Sequence, residues 1–449
     1  MRRCLLLVLL AIGLGGCSSP EYLVRTPVLY ADGADDPFAQ VPPGLRETTV
    51  SVIYATDRRQ EKPREDGVLR YGIGRSHQLT VGVSRVEFSP VRDWGQLVEA
   101  SRQERRSQAI RTRIVEITPV AVLADPTKPP AIQEGRIVED VVDLKTNEEA
   151  VARLHDLLRQ QLARTSRRDV FIYVHGYNNT FEVATARIVQ LWHFLGRVGV
   201  PVVYSWPAGA KGLIRGYTRD RESGEFSTFH LKQFLTAVAA CPEVQRIHII
   251  AHSRGTDVAT SAIRELHLFL GGKPEVTREK LKLGHVVLAA PDLDMDVAAQ
   301  RLTAERIGLA TQRTTVYLNA RDRAIGVADW LFESARRVGR AMFTDLTPYQ
   351  REAFDRLSNI SFIDVKVKTD LLGHGYFVSN PLVLSDLVLL LRDDRYPGAE
   401  HGRPLLDRPG AFWELNNGYA DAVRPGGTPS PSADQALKRE SSWTGHPYE

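Results

Sequence analysis

The sequence predicts an α/β chain in which a mostly parallel sheet carries helices on both faces and is extended by β segments on its N-terminal side. Three observations predict it. Short runs are predominantly apolar on both alternating faces, the segments between them repeat apolar residues every three or four positions, and β-rich runs precede both. A strand with no polar face needs cover on both sides, which a parallel sheet wrapped by helices supplies through right-handed crossovers.

The apolar runs fall at 170–174, 200–206, 247–251, 285–290, 314–319 and 361–367. Helical spacing connects them, as in Phe181, Ala184, Ile188, Leu191, Leu195 and again in Val258, Ala262, Ile263, Leu266. Earlier, Thr49-Val50-Ser51-Val52-Ile53-Tyr54 and Leu79-Thr80-Val81-Gly82-Val83 read as strands that extend the same sheet at one edge. The basic stretch 102–113 reads as a helix with a solvated face, with contact to anionic headgroups as the alternative.

With 449 residues, 43% of them hydrophobic and 25% charged, the chain has the balance of a soluble globular protein with a sizeable core. Fifty-eight basic against 54 acidic residues leave a net charge of +4 with no long block of one sign, so no nucleic-acid partner is expected.

The N-terminus is basic at Met1-Arg2-Arg3, then apolar from Leu5 to Leu14, then Gly15-Gly16-Cys17-Ser18-Ser19. That is a secretory signal, too short to span a bilayer. Leu14-Gly15-Gly16-Cys17 resembles a bacterial lipobox, in which cleavage before the cysteine is coupled to its acylation, and Ser18 in place of Asp resembles the outer-membrane sorting choice of Gram-negative bacteria. Cys17 is therefore the expected lipid anchor, on the periplasmic side of the outer membrane. Removal of Cys4 with the signal and acylation of Cys17 leave Cys241 alone, so no internal disulfide is expected, and Cys241 reads as a buried thiol.

The boundaries expected are a signal peptide over 1–16, a Pro- and Gly-rich tether over 17–47, a β-rich extension over 48–168, a core that carries the chemistry over 169–393, and a mostly disordered tail over 394–449 in which Phe412-Trp413 docks locally.

The chemistry is carried by Ala251-His252-Ser253-Arg254-Gly255, at the end of a buried strand and the start of a helix. A G-x-S-x-G nucleophile elbow occupies that junction, because a serine on a tight strand-to-helix turn projects its hydroxyl above the sheet beside a helix N-terminus. Here Ala251 replaces the first glycine. A second junction, His175-Gly176-Tyr177-Asn178-Asn179-Thr180, supplies the loop from which one oxyanion-hole amide comes, so the Tyr177 and Arg254 amides are the expected donors. The Arg254 side chain is left open between the cleft and solvent, and Asn178 and Asn179 read as turn and cap residues.

The acid follows the nucleophile in this order, and two junctions offer it. Asp322, after the run 314–319, stands at the usual position; Asp292 and Asp294 are the alternatives, and would otherwise cap a helix near Val297. The base is His374, flanked by Gly373 and Gly375 after the last run, while His175 and His252 read as partners of the elbow loops. Segment 208–227 is read as a cap or rim over the cleft, with Tyr217 and Phe226 as candidate substrate contacts, or else as a mobile surface loop.

Several separated matches make the chain resemble a bacterial lipoprotein or secreted α/β-hydrolase family of unknown function within the esterase/lipase superfamily. They are Tyr54-Ala55-Thr56-Asp57-Arg58, His175-Gly176-Tyr177-Asn178-Asn179, Tyr204-Ser205-Trp206-Pro207, Ala251-His252-Ser253, Ala290-Pro291-Asp292 and His374-Gly375-Tyr376-Phe377. The resemblance implies the α/β-hydrolase fold and a Ser253–Asp322–His374 triad; Arg254 departs from the methionine expected after the nucleophile. The function expected is that of a serine hydrolase, an esterase or lipase acting on a hydrophobic acyl substrate at the membrane. A catalytically silent envelope binding or assembly module is the competing reading, and an acyltransferase or peptidase would use the same machinery. No metal-ligand spacing, phosphate loop or dinucleotide fingerprint occurs, so no metal and no cofactor are expected.

Overall fold

Every apolar run of the sequence becomes a strand whose side chains alternate between two cores. In the computed structural model, residues 21–30, 35–123, 125, 131–133, 136–138, 141–210, 212–319, 359–367, 375–408 and 412–423 are described. Strands β1 (Glu21–Tyr22), β2 (Thr49–Glu61), β3 (Arg70–Ser89) and β4 (Arg111–Leu123) precede a small hairpin, β5 (Ala131–Gln133) with β6 (Arg136–Val138). Then come β7 (Asp169–Val174), β8 (Val200–Ser205), β9 (Arg246–His252), β10 (Leu283–Ala289), β11 (Arg313–Leu318), β12 (Ile360–Val365), β13 (Leu406–Asp407) and β14 (Phe412–Leu415). The main sheet has 12 strands in the order β1-β4-β3-β2-β8-β7-β9-β10-β11-β12-β14-β13. Neighbours from β2 through β14 are parallel, and the strands at either end are antiparallel.

The helices are α1 (Trp94–Arg102), α2 (Val141–Leu162), α3 (Phe181–Phe194), α4 (Leu213–Ala240), α5 (Gly255–Phe269), α6 (Pro274–Leu281), α7 (Met295–Ala299), α8 (Tyr376–Ser379), α9 (Pro381–Leu391) and α10 (Tyr419–Val423). Strand β7 shows why both faces need them. Phe171 and Tyr173 join a core with residues of α1, α3 and α9, whereas Val170, Ile172 and Val174 join one with residues of α2, α4 and α5. Among the described residues no helix is long and apolar enough to cross a membrane.

Several boundaries differ from the sequence reading. The tether expected over 17–47 is folded from Glu21 onward wherever it is described: Leu23, Leu29, Tyr30, Phe38, Val41 and Leu45 are all buried. Tyr30 donates its hydroxyl hydrogen to the Phe194 carbonyl at 2.6 Å, and Arg392 binds Asp35. Turn formers hid these contacts because the apolar residues between them have no regular period. Stretch 102–113 is not a helix: α1 ends at Arg102, and β4 begins at Arg111. Between them Arg106 donates to the Ala100 and Leu23 carbonyls at 2.9 and 2.8 Å, so part of the basic charge pins the loop and is not displayed.

The tail expected from residue 394 is likewise ordered as far as it is described. Strand β14 continues the sheet in parallel with β12, and Leu405, Phe412, Leu415 and Tyr419 are buried. Each such side chain contributes roughly 1.5–3 kcal/mol when removed from water, enough to hold a short Pro-rich segment in place. A buried polar cluster fastens it further. Arg403 donates to both carboxylate oxygens of Asp386 on α9, at 2.8 and 2.7 Å, and the Tyr317 and Tyr419 hydroxyls donate to the same carboxylate at 2.6 and 2.9 Å.

Candidate active site

Strand β9 ends at His252 and α5 begins at Gly255, so Ser253 and Arg254 form the whole turn. Ser253 has φ +53°, a left-handed conformation that costs a non-glycine residue about 1–3 kcal/mol and persists only where the surroundings impose it. Those surroundings are visible. The Ser253 amide donates to the Ala289 carbonyl at 2.9 Å, and its own carbonyl accepts from the Thr256 amide at 3.0 Å and the Thr256 hydroxyl at 2.7 Å.

Two glycines let the neighbouring loop close on this turn. A Cβ on Gly176 would stand 2.7 Å from the Ser253 Cβ and 3.2 Å from its Oγ, and a Cβ on Gly255 would stand 2.4 Å from the His175 carbonyl oxygen. Any side chain at either position would separate the β7 loop from the elbow. Among the described residues, neither the Tyr177 nor the Arg254 amide donates a hydrogen bond to another group.

His175 is buried behind that loop. Its ring stacks on Trp206 with centroids 5.1 Å apart, and the Trp206 indole N–H donates to the His175 carbonyl at 2.6 Å. Arg58, which can only donate, lies 3.3 Å from His175 Nε2, so the imidazole hydrogen belongs on Nδ1, which donates to the Gly176 carbonyl at 2.9 Å. Burial, and then the Arg58 charge, push His175 down to about 3, so it stays neutral and is no proton carrier near neutral pH. Asn178, at φ +54°, and Asn179 form the turn as expected, but the cap of α3 is Thr180, whose Oγ accepts from the Val183 amide at 3.3 Å.

Asp292 is buried at the edge of the elbow. Its amide points to the Ser253 carbonyl at 3.4 Å, and its carboxylate accepts from the Tyr217 hydroxyl at 2.6 Å. Asp294 instead caps α7, accepting from the Asp296 and Val297 amides at 2.9 and 3.2 Å. The Arg254 side chain goes neither to solvent nor freely into the cleft. It is buried in an ion pair with Asp257 at 2.7 Å, and Asp257 also meets Arg301 at 2.6 Å. Asp322 and His374 lie outside the described residues. The residues just after His374 are anchored beside the elbow: Phe377 stacks on His252 at 4.8 Å, and the Tyr376 hydroxyl donates to the Tyr317 carbonyl at 2.9 Å.

The rim expected over 208–227 is mostly helix, because α4 starts at Leu213. Of the glycines that suggested a loop, Gly224 serves close packing: a Cβ there would meet Val258 of α5 at 3.1 Å. Tyr217 does reach the site, through Asp292 and through a ring contact with Tyr177 at 5.6 Å. Phe226 does not; it packs on His77 and His230 with centroids 5.8 and 4.9 Å away. Cys241 is buried, its thiol donating to Glu243 at 3.3 Å, and burial raises its pKa, as befits an inert thiol. Cys17 lies outside the described residues. Among the described residues no group of three or more His, Cys, Asp and Glu side chains is arranged to hold a metal ion.

Sequence reasoning missed two residues that hold the β7 loop, Arg58 and Asp220. Arg58 stood in a motif noticed for its resemblance and given no role; Asp220 gave no signal, since it sits in a segment read as a charged rim.

No curated protein matches the sequence. Among solved structures, phospholipase PlaB from Legionella pneumophila is similar at 13% identity over 47% of this chain, with a TM-score of 0.19. The similarity spans 45% of that phospholipase, less than half its length. The family model described as Alpha/beta hydrolase of unknown function (DUF900) matches residues 150–392, more than half of the chain, from within α2 through the end of α9, a stretch that carries the elbow. The chain belongs to this α/β-hydrolase family.

Proposed function

We propose that the protein is a serine hydrolase that cleaves a carboxylic ester or related acyl bond through an acyl-enzyme on Ser253. The observation that carries the reading is the strained Ser253 turn, pressed against a glycine loop and flanked by amides with no acceptor among the described residues. In this reaction His374 takes the Ser253 hydroxyl proton as Oγ bonds to the acyl carbon. The carbonyl oxygen becomes an oxyanion facing the Tyr177 and Arg254 amides, and the leaving group departs with the proton from His374. Water, activated by the same imidazole, then releases the acid. The strained backbone is useful because it keeps the hydroxyl fixed before the substrate arrives.

The reading is tested on protein lacking residues 1–17, by fluorophosphonate labelling and a panel of short- and long-chain esters. Labelling at Ser253 with turnover of at least one ester is expected. A folded protein inert to both, yet retaining an envelope partner, would be the silent module.

For the acid we assign Asp322 as the group that orients His374. Asp322→Asn is expected to lower kcat by on the order of 10⁴ with the fold retained, as a wrong imidazole tautomer does in a related triad. Asp292→Asn should cost far less, since its carboxylate is already engaged by Tyr217. The reverse ranking in steady-state kinetics would move the acid to Asp292.

The anchor belongs to the same proposal: Cys17 carries lipid and holds the hydrolase at the outer membrane, near hydrophobic acyl substrates. Cys17→Ala should release the protein from the membrane fraction and remove the acyl mass. Unchanged fractionation and mass would refute the anchor and leave the hydrolase reading intact.

A further inference from the structure

Two buried side chains of opposite charge grip the same pair of loops. Arg58, on β2, donates to the Asn179 carbonyl at 2.7 Å and the Ala208 carbonyl at 2.9 Å, as well as to the Gly72 carbonyl at 3.0 Å, Ser205 Oγ at 2.9 Å and His175 Nε2 at 3.3 Å. Asp220, on α4, accepts from the Asn178 and Gly209 amides, each at 3.0 Å, and from the Ala210 amide at 3.2 Å. The cation takes carbonyls and the anion takes amides at neighbouring positions. The Ala208 C=O and the Gly209 N–H are two edges of one planar peptide group, so that peptide is held from both sides.

The consequence falls on Tyr177. Its N–H belongs to the peptide whose carbonyl is that of Gly176, and a trans peptide points these two groups in opposite directions. The Gly176 carbonyl is held by His175 Nδ1 at 2.9 Å, in the tautomer that Arg58 imposes, and by Asn179 Nδ2 at 3.3 Å. The next peptide, between Tyr177 and Asn178, is held through its N–H by Asp220. Both planes flanking Tyr177 are thereby fixed, one through Arg58 and His175, the other through Asp220.

We propose that Arg58 and Asp220 are positioning residues that aim the Tyr177 N–H at the oxyanion formed on Ser253. This rests on the serine-hydrolase reading above. It also gives the N-terminal strands a part in the chemistry, because Arg58 belongs to β2 and not to the segment 150–392 that the family model matches. A purely structural role would lower stability and the yield of folded enzyme. A positioning role lowers transition-state stabilisation while leaving ground-state binding alone.

The test compares wild type, Asp220→Asn, Asp220→Ala and Arg58→Lys, with Arg197→Lys as a control. Arg197 is another buried guanidinium, which holds the Glu47 carbonyl at 2.8 Å and stacks on Trp94, away from both loops. Each protein is assayed for Ser253 labelling by fluorophosphonate, for kcat and KM on p-nitrophenyl butyrate, for Ki of a trifluoromethyl ketone that forms an oxyanion on serine, and for melting temperature. The Asp220 and Arg58 variants should lose about 10²-fold in kcat, the scale of one oxyanion-hole donor, with KM nearly unchanged and the ketone Ki rising by the factor that kcat/KM falls. Arg197→Lys should lower the melting temperature without moving kcat/KM. Variants that keep kcat/KM within a few-fold of wild type, or lose activity only in step with melting temperature, would overturn the proposal and leave the hydrolase standing. A wild type that neither labels nor hydrolyses would remove the hydrolase reading and this role with it. Should Arg58→Lys fail to fold, Asp220→Asn decides the matter, since it keeps the side-chain size and removes one acceptor.

Discussion

Ser253→Ala is expected to abolish fluorophosphonate labelling and ester hydrolysis together, with kcat falling by on the order of 10⁶, as when a nucleophilic serine is removed from a comparable triad. His374→Ala should be comparably inactive, and the double variant little worse, because groups that act as a unit lose their effect once. Stability should move the other way. A residue held at φ +53° stores backbone strain, so Ser253→Gly should unfold at a higher temperature than wild type while being inactive. Residual turnover in Ser253→Ala near the wild-type rate would assign the nucleophile elsewhere, and an unchanged Ser253→Gly melting temperature would mean that the turn is not strained.

The largest stability effect should come from the buried cluster that Arg403 and Asp386 form with Tyr317 of β11. Arg403→Met removes the cation from a fully buried carboxylate, leaving Asp386, among the described residues, with the Tyr317 and Tyr419 hydroxyls. Breaking a buried pair from one side costs about 3–5 kcal/mol, and most of that is the stranded charge and not the lost attraction. The double variant Arg403→Met, Asp386→Leu should therefore recover much of the loss. Denaturant unfolding followed by far-UV circular dichroism checks both. A single-variant loss under about 1 kcal/mol would show that solvent reaches the cluster.

What was legible in the sequence was whatever has a short period. Short, predominantly apolar runs marked the parallel strands, and the elbow was readable because Ser253 sits where such a run stops and a helical repeat starts. What was not legible depends on contacts between distant residues. Leu23, Phe38 and Leu405 are spaced irregularly among prolines, and nothing local says that each meets the core. Helix α4 was hidden by Gly216 and Gly224, whose lack of a side chain lowers helix propensity, while at Gly224 it permits close packing against α5. Within the site, Asp220 looked like one acid among many on a charged segment; only the fold puts three backbone amides around it.

Because the chain is already folded at Glu21, few residues are left to act as a leash. On the reading that Cys17 carries the lipid, only residues 18–20 separate the anchor from the first strand, which pairs with β4 through Glu21 and Tyr22. A fully extended chain covers at most about 3.6 Å per residue, so the body is moored within roughly 15 Å of the lipid. On that reading a hydrolase on so short a mooring would not patrol the periplasm. It would graze the leaflet that holds it, and the local density of acyl groups there would set its effective substrate concentration.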